Sequence, residues 1–338
     1  METGIVLPPW IGRTARTAQQ IEAHGFSTLL FTDSQNLAPE VFTQLMVAAA
    51  ATTRLRIGTG VTNPVTRDSA VLASAALSLQ AESAGRMVLG IGRGDSAVQR
   101  IGKELCSLAT FRNYLDDLQG YLRGETVRRD AFDSRLEWFK RVDQPKLPVQ
   151  VAATGPKVIE LAAQRADAIM LAVGADLEHV RGALETARAA AAASGRAPGS
   201  LRVGAFVNVA LHADLDVARA AVRGAAASFA RFSSFAGSPV ERLPAPLQRA
   251  VGLLRENYDM KDHTRAASPH ARALEAEFID WFAIAGPVDR ALPRFEALAA
   301  LGLDFLYVVP ASSDTPRQVA AESIALLARD VLPRLNGH

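Results

Sequence analysis

The chain has 338 residues, 49% of them hydrophobic, with 37 basic against 35 acidic side chains and a formal net charge of +2. That balance, with no Lys/Arg run, argues against nucleic acid or an anionic membrane as a partner, and the single cysteine, Cys106, excludes an intramolecular disulfide and a cysteine-based metal cluster. The opening METGIVLPPW has no basic region and no long apolar stretch, so no signal peptide and no transmembrane helix are expected, and the expected location is the cytoplasm.

Along the chain, short apolar runs alternate with longer amphipathic stretches. The first run is GIVLPP (4–9), and the helix after it is closed by Gly25 as a C-cap. STLLFTD (27–33) and LRIGTGVTN (55–63) follow, and a helix opened by the acidic cap Asp68 stops at Gly85. Then come MVLGIGRGD (87–95), PVQVAAT (148–154), DAIMLAV (167–173), LRVGAFVNVALH (201–212) and LDFLYVVP (303–310). A helix starting near Pro287, where a first turn tolerates proline, leads into the last run. Most of these runs are apolar throughout, as strands buried on both faces should be. Eight strand–helix units predict one α/β domain over 1–338, a (β/α)8 TIM barrel; a doubly wound sheet is the alternative. Two connections are longer than usual: 125–146 after the fourth helix, and 233–285 between the seventh and eighth strands. The second is expected to cover the mouth of the barrel as a lid.

The site of such a barrel lies at the C-terminal strand ends. Here those ends are FTDS, GTGVTN, GIGRGDS, AATGPK and AVGAD. Any one of their glycines could simply make a turn. Together they suggest a flat ligand lying against bare backbone. GIGRGDS is not a dinucleotide fingerprint: its glycines fall at 90, 92 and 94, no helix clearly begins at once, and no acidic ribose partner follows. In ATGPK, helix N-terminal N–H groups and Lys157 suit a phosphate, and Gly155–Pro156 equally suits a plain helix opening. The six histidines, at 24, 179, 212, 263, 270 and 338, show no metal-ligand spacing, and no metal is expected. Phe31 and Trp10 are candidate stacking surfaces, or core aromatics.

The segment GVTNPVTRDSAVLASAALSLQAESAGRMVLGIGRGDS resembles the bacterial luciferase-like monooxygenase superfamily, and within it the coenzyme F420-dependent branch that includes methylenetetrahydromethanopterin reductase. The resemblance implies a barrel holding F420, or FMN, at its C-terminal mouth. It implies a bulge with a non-prolyl cis peptide at Gly60–Val61 behind the central ring, among Thr59, Gly60, Val61 and Asn63. It places Asp33 near the pyrimidine end of the cofactor, Gly92, Arg93, Gly94 and Asp95 in the loop over the ring, and Thr154, Gly155, Pro156 and Lys157, with Gly174, at the phosphate. Small residues at 58–60 are then expected to leave room for the ring plane. Two positions depart from the dehydrogenases of that branch: Ser34 stands where they carry His, and Asp95 where they carry Glu.

Asp95 is the main candidate for proton transfer or substrate orientation, with Asp33 beside it as a second catalytic candidate; Asp95 could alternatively be a loop cap. The function expected is hydride transfer between a deazaflavin and a small organic substrate. The alternatives are an FMN monooxygenase fed by a separate flavin reductase, and a flavin-binding barrel without turnover. A homodimer is expected through helices of the first half, where VFTQLMVAAAATT is apolar.

Overall fold

A computed structural model of the chain describes residues 1–232, 241 and 245–335. The strands are β1 (Glu2–Leu7), β2 (Thr28–Phe31), β3 (Arg56–Thr59), β4 (Met87–Ile91), β5 (Val127–Arg129), β6 (Phe132–Ser134), β7 (Val149–Ala153), β8 (Ala168–Leu171), β9 (Arg202–Leu211), β10 (Ile284–Gly286) and β11 (Phe305–Val309). Eight of them run parallel in the order β9-β11-β1-β2-β3-β4-β7-β8, and pairing of β8 with β9 closes the barrel. The expected (β/α)8 fold is therefore the observed one. The strands are shorter than expected because their ends turn out of the ladder at the mouth.

Alternation along each strand separates two cores. On β9, Val203, Ala205, Val207 and Val209 face the helices, while Phe206 joins Phe305, Tyr307, Met170 and Leu30 inside the barrel. The interior is filled rather than open, as barrels of this size require. Phe305 and Tyr307 lie with ring centroids 4.7 Å apart, and a Cβ on Gly204 would come within 2.2 Å of the Phe305 ring. Glycine at 204 is thus what admits that aromatic pair.

The helix caps follow the sequence. Asp68 accepts from Ala70 N at 2.9 Å and starts the helix Ser69–Glu82; Gly25 and Gly85 take φ of +85° and +86° just past their helices. Directly after β4, against expectation, stands a one-turn helix, Ser96–Gln99, before the main helix Leu108–Leu122.

Both long connections are structured. The first forms the β5–β6 hairpin and a 3-10 turn at Phe139–Arg141. The second begins after the helix Leu215–Phe232, part of it lying outside the described residues. It supplies the helices Ala245–Asn257, Pro269–Arg272 and Ala276–Phe282, and then β10, which pairs parallel with β9 outside the barrel and was not anticipated. These helices share an apolar core with Leu215–Phe232 through Ala218, Val222, Leu247, Val251, Ile279 and Phe282. At Gly224 the backbone of Arg265 and Ala266 lies so close that a Cβ would stand 2.4–2.5 Å from it. Among the described residues no helix is long and apolar enough to cross a membrane.

Candidate active site

β3 and β4 part company at the mouth. Gly58 pairs with Val88, and the next paired position is Thr62 with Ile91. Four steps along one chain (58 to 62) therefore match three along the other (88 to 91), which is a β-bulge. Inside the bulge the Gly60–Val61 peptide is cis, as the resemblance implied. The backbone is held on both sides: Gly60 N donates to Phe31 O at 2.8 Å, Thr62 N to Gly90 O at 2.9 Å, and Gly92 N to Thr62 O at 2.9 Å.

The glycines around this bulge serve it differently from the expectation. A Cβ on Gly58 would stand 1.9 Å from Val88 O, and one on Gly90 2.1 Å from Thr59 O. One on Gly60 would meet Leu30 and Val6 inside the barrel at 2.9 and 3.1 Å. Gly58, Gly60 and Gly90 are thus required by neighbouring chain, not by free space for a ring. A Cβ on Gly92 would stand 3.1 Å from Val61 Cγ2, so the two loops meet there. Gly94, at φ +103°, carries the loop back over Asn63. Asn63 is 1% exposed; its Oδ1 accepts from Val65 N and Thr66 N, both at 3.0 Å, while its Nδ2 is buried with no partner. A buried donor left in this way is a place where a ligand acceptor fits.

Asp33, at the end of β2, is 8% exposed and ion-paired to Arg67, whose Nη2 also reaches Asp33 Oδ1 at 3.4 Å and Glu40 at 2.9 Å. Tyr114 anchors the Arg67 carbonyl at 3.0 Å. Asp33 is the counter-ion that fixes the Arg67 loop, and both its oxygens are engaged, which disfavours it as a proton carrier. The position after it, Ser34, is 2.9 Å from the Ser96 hydroxyl and ties β2 to the β4 loop.

Asp95 precedes the helix Ser96–Gln99 but its side chain does not cap it. The carboxylate instead forms an ion pair with Arg231 at the end of Leu215–Phe232, and its Oδ2 lies 3.8 Å from His263 Nε2. Arg231 lies 4.4 Å above the Tyr258 ring, and the Tyr258 hydroxyl is 2.6 Å from His263 Nδ1. Burial pulls the His263 pKa down to about 3, with Arg231, Arg100 and His270 adding repulsion, and burial pushes Tyr258 up to about 12. Both are neutral at pH 7. The Tyr258 hydroxyl, the His263 imidazole and the Asp95 carboxylate thus stand within reach of one another beside the Arg231 charge. Arg100 reaches the Met260 carbonyl at 2.6 Å and closes this side.

Around β7 the geometry is more open. Thr154 is half-buried, Pro156 and Lys157 are exposed, and Gly155 begins the helix Pro156–Arg165 with no side-chain cap and nothing within 4 Å of its Cβ direction. Ala152 on β7 lies 3.8 Å from the Gly92 Cβ direction, which brings this turn beside the bulge. Gly174 takes φ +89°, and a Cβ on it would stand 2.7 Å from the Phe282 ring. Arg93 binds the Cys106 carbonyl through Nε at 2.6 Å and braces its own loop. Phe31 is fully buried among helix-facing residues, so it is a core aromatic; Trp10 is 54% exposed.

Arg67, Arg231, Tyr258 and His263 were not singled out from sequence. Arg67 stands inside the segment that carries the resemblance and could have been found there. Arg231 lies 27 positions before Tyr258 and 32 before His263, and the three stand in a region without a motif.

The luciferase-like monooxygenase family model matches residues 3–304. The chain is 29% identical over 325 residues to a 5,10-methylenetetrahydromethanopterin reductase of Archaeoglobus fulgidus, covering 93% of each chain. Its fold matches the coenzyme F420 dependent tetrahydromethanopterin reductase of Methanopyrus kandleri at a TM-score of 0.73 and 21% identity, over 99% of both chains. It also matches an F420-dependent secondary alcohol dehydrogenase, solved with an F420–acetone adduct, at a TM-score of 0.77 and 16% identity over 99% of this chain and 98% of that one. With that family match over most of its length, the chain belongs to the luciferase-like monooxygenase family.

Proposed function

We propose that this protein is an F420-dependent oxidoreductase that moves a hydride between the deazaflavin and a small organic substrate in the cytoplasm. The observation that carries the proposal is the β3 bulge, where the backbone at Gly60–Val61 and the partnerless Asn63 Nδ2 offer a bare surface and one donor to a planar ligand. Full-length kinship to a reductase of that cofactor class supports it. Thr59, Gly60, Val61 and Asn63 would back the ring, with Asp33 and its Arg67 loop at one end. Gly92, Arg93, Gly94 and Asp95 would lie over it. Thr154, Gly155, Pro156 and Lys157, with Gly174 a strand further on, would receive phosphate at the open helix N-terminus. When bound, reduced F420 supplies a hydride. The chain itself orients the acceptor: Asp95, already paired with Arg231, acts as a hydrogen-bond acceptor held in one rotamer.

The segment 245–285 acts as the lid, with its contacts to Asp95 and Arg231 made through Tyr258 and His263. A second copy docks on the helices Val41–Ala51 and Ser69–Glu82, which leave Met46, Val47 and Val71 37%, 41% and 59% exposed. Light scattering should give a dimer mass that Val71→Glu reduces to the monomer.

The deciding measurement is a fluorescence titration with F420 and, separately, with FMN. Micromolar affinity for F420 alone is expected. The family's monooxygenase members keep one other reading in view: affinity for FMN alone would make the protein an oxygenase that depends on a flavin reductase. Within the F420 reading, Asp95→Asn should lower turnover while cofactor affinity stays nearly unchanged; lost binding with unaltered turnover contradicts the role given to Asp95.

A further inference from the structure

β9 is the longest strand of the barrel, and its inward face carries an unexpected residue. Gly204 and Phe206 point inside, against Phe305 and Tyr307. Two residues further on, the same face presents Asn208. Asn208 pairs in register with Val309, the last residue of β11. On the other side β8 has already ended, since its last residue, Leu171, pairs with Ala205. Asn208 therefore stands near the C-terminal rim, one inward position beyond Phe206, whose ring centroid is 5.9 Å from that of Phe229. It is 1% exposed, and neither Nδ2 nor Oδ1 has a hydrogen-bond partner. Buried amides are rarely left with both groups unmet, and an apolar residue of similar size would be cheaper at this place.

The barrel order places this amide. Going round from β3, β9 is reached through β4, β7 and β8 in one direction and through β2, β1 and β11 in the other. β9 is diametrically opposite the bulge. A planar cofactor backed by Gly60–Val61 would turn its free face toward β9. We propose that Asn208 is the specificity residue of that free face, and that it reads a substrate group carrying a hydrogen-bond acceptor beside a donor, as in a lactam or other cis-amide. This rests on the cofactor reading proposed above, because that reading decides which face is left for the substrate. The chemistry is set by the side chain itself. One carboxamide offers one N–H edge and one carbonyl edge in a plane, and an amide of the substrate is complementary to both at once. An alcohol meets one of the two, and an alkane neither.

The test uses a matched pair of probes. The protein, loaded with oxidised F420, is titrated with 2-quinolone and with N-methyl-2-quinolone, which keeps the ring and the carbonyl and replaces the N–H donor by a methyl group. The wild type should prefer 2-quinolone by about tenfold, the discrimination typical of one hydrogen bond to a buried group. In Asn208→Leu and in Asn208→Ala the preference should fall to about one, with F420 affinity unchanged within about twofold. Ligand-free Asn208→Leu should also melt about 2–4 °C higher than wild type, because an unmet amide has been replaced by an apolar group. A wild-type preference of one, or an equal preference in the variants, overturns the assignment. Loss of F420 affinity in both variants also overturns it, since Asn208 would then serve the cofactor. Failure of the wild type to bind F420 overturns the cofactor reading instead, and the same probe ratio, measured by calorimetry on the unloaded protein, then decides Asn208.

Discussion

Within the β3–β4 bulge, Gly58 and Gly90 bring backbone to backbone while Gly60 and Gly92 face the side chains of Leu30 and Val61, and the polar groups met there are mostly peptide N–H and C=O. Over the same mouth, Arg231 at the end of the helix after β9, and Tyr258 and His263 of the insertion that follows, reach Asp95 in the β4 loop with charged and aromatic side chains. The first side is rigid by sterics, with no space left in which to vary. The second is held by an ion pair, a ring contact and one short hydrogen bond among groups that each gave up water. The contrast teaches where adaptation to a substrate can occur. The backbone side suits a constant planar ligand. The side-chain side can be retuned residue by residue.

The largest effect is expected where backbone meets backbone. Gly90→Ala would place a Cβ 2.1 Å from Thr59 O, and a loss of about 3 kcal/mol or more is expected in urea denaturation. A loss under about 1 kcal/mol would mean that this side can yield after all. Next comes the ion pair, whose side chains are 8% and 18% exposed. Arg231→Met leaves Asp95 with its charge unpaired and should destabilise by about 3 kcal/mol. The double variant with Asp95→Asn should recover part of that loss, and additivity between the two would show that the pair is not coupled.

The third prediction concerns pH. His263 binds a proton in the unfolded chain near its ordinary value of 6.5 and in the folded protein only near 3. Between those values the unfolded state holds more protons, so stability falls as pH drops below about 6.5, by up to about 1.4 kcal/mol per pH unit from this group. Burial is the main cause and Arg231 the next. His263→Gln should flatten that slope relative to wild type, whereas parallel curves would show that His263 is solvated. The smallest effect belongs to Lys157, exposed at the open helix start. Lys157→Ala should leave stability within about 0.5 kcal/mol and weaken F420 binding severalfold in the fluorescence titration; unchanged affinity would remove it from the phosphate site.

The two sides also differ in how much of them could be read from the chain. The barrel, the caps at Asp68, Gly25 and Gly85, and the loop pattern from Gly58 to Asp95 were legible, because each rests on contacts between residues near in sequence or on strand periodicity. The cis peptide was anticipated only through the resemblance. The glycines were noticed, but their cause was misjudged: they answer to the carbonyls of Val88 and Thr59, which a one-dimensional pattern does not place. β10 was missed because a three-residue strand between a helix and a proline has no periodicity to show.

What the sequence determined by itself is the set of local choices: strand or helix, where each stops, and which strand ends lack side chains. What only the tertiary structure decided is which polar groups meet. Asp95 and Arg231 are 136 positions apart, Asn208 is buried with neither amide group partnered, and Asp33 pairs with Arg67 34 positions on. Long-range encounters of this kind depend on closure of the barrel, which brings opposite strands to one mouth, and no local propensity encodes the partner.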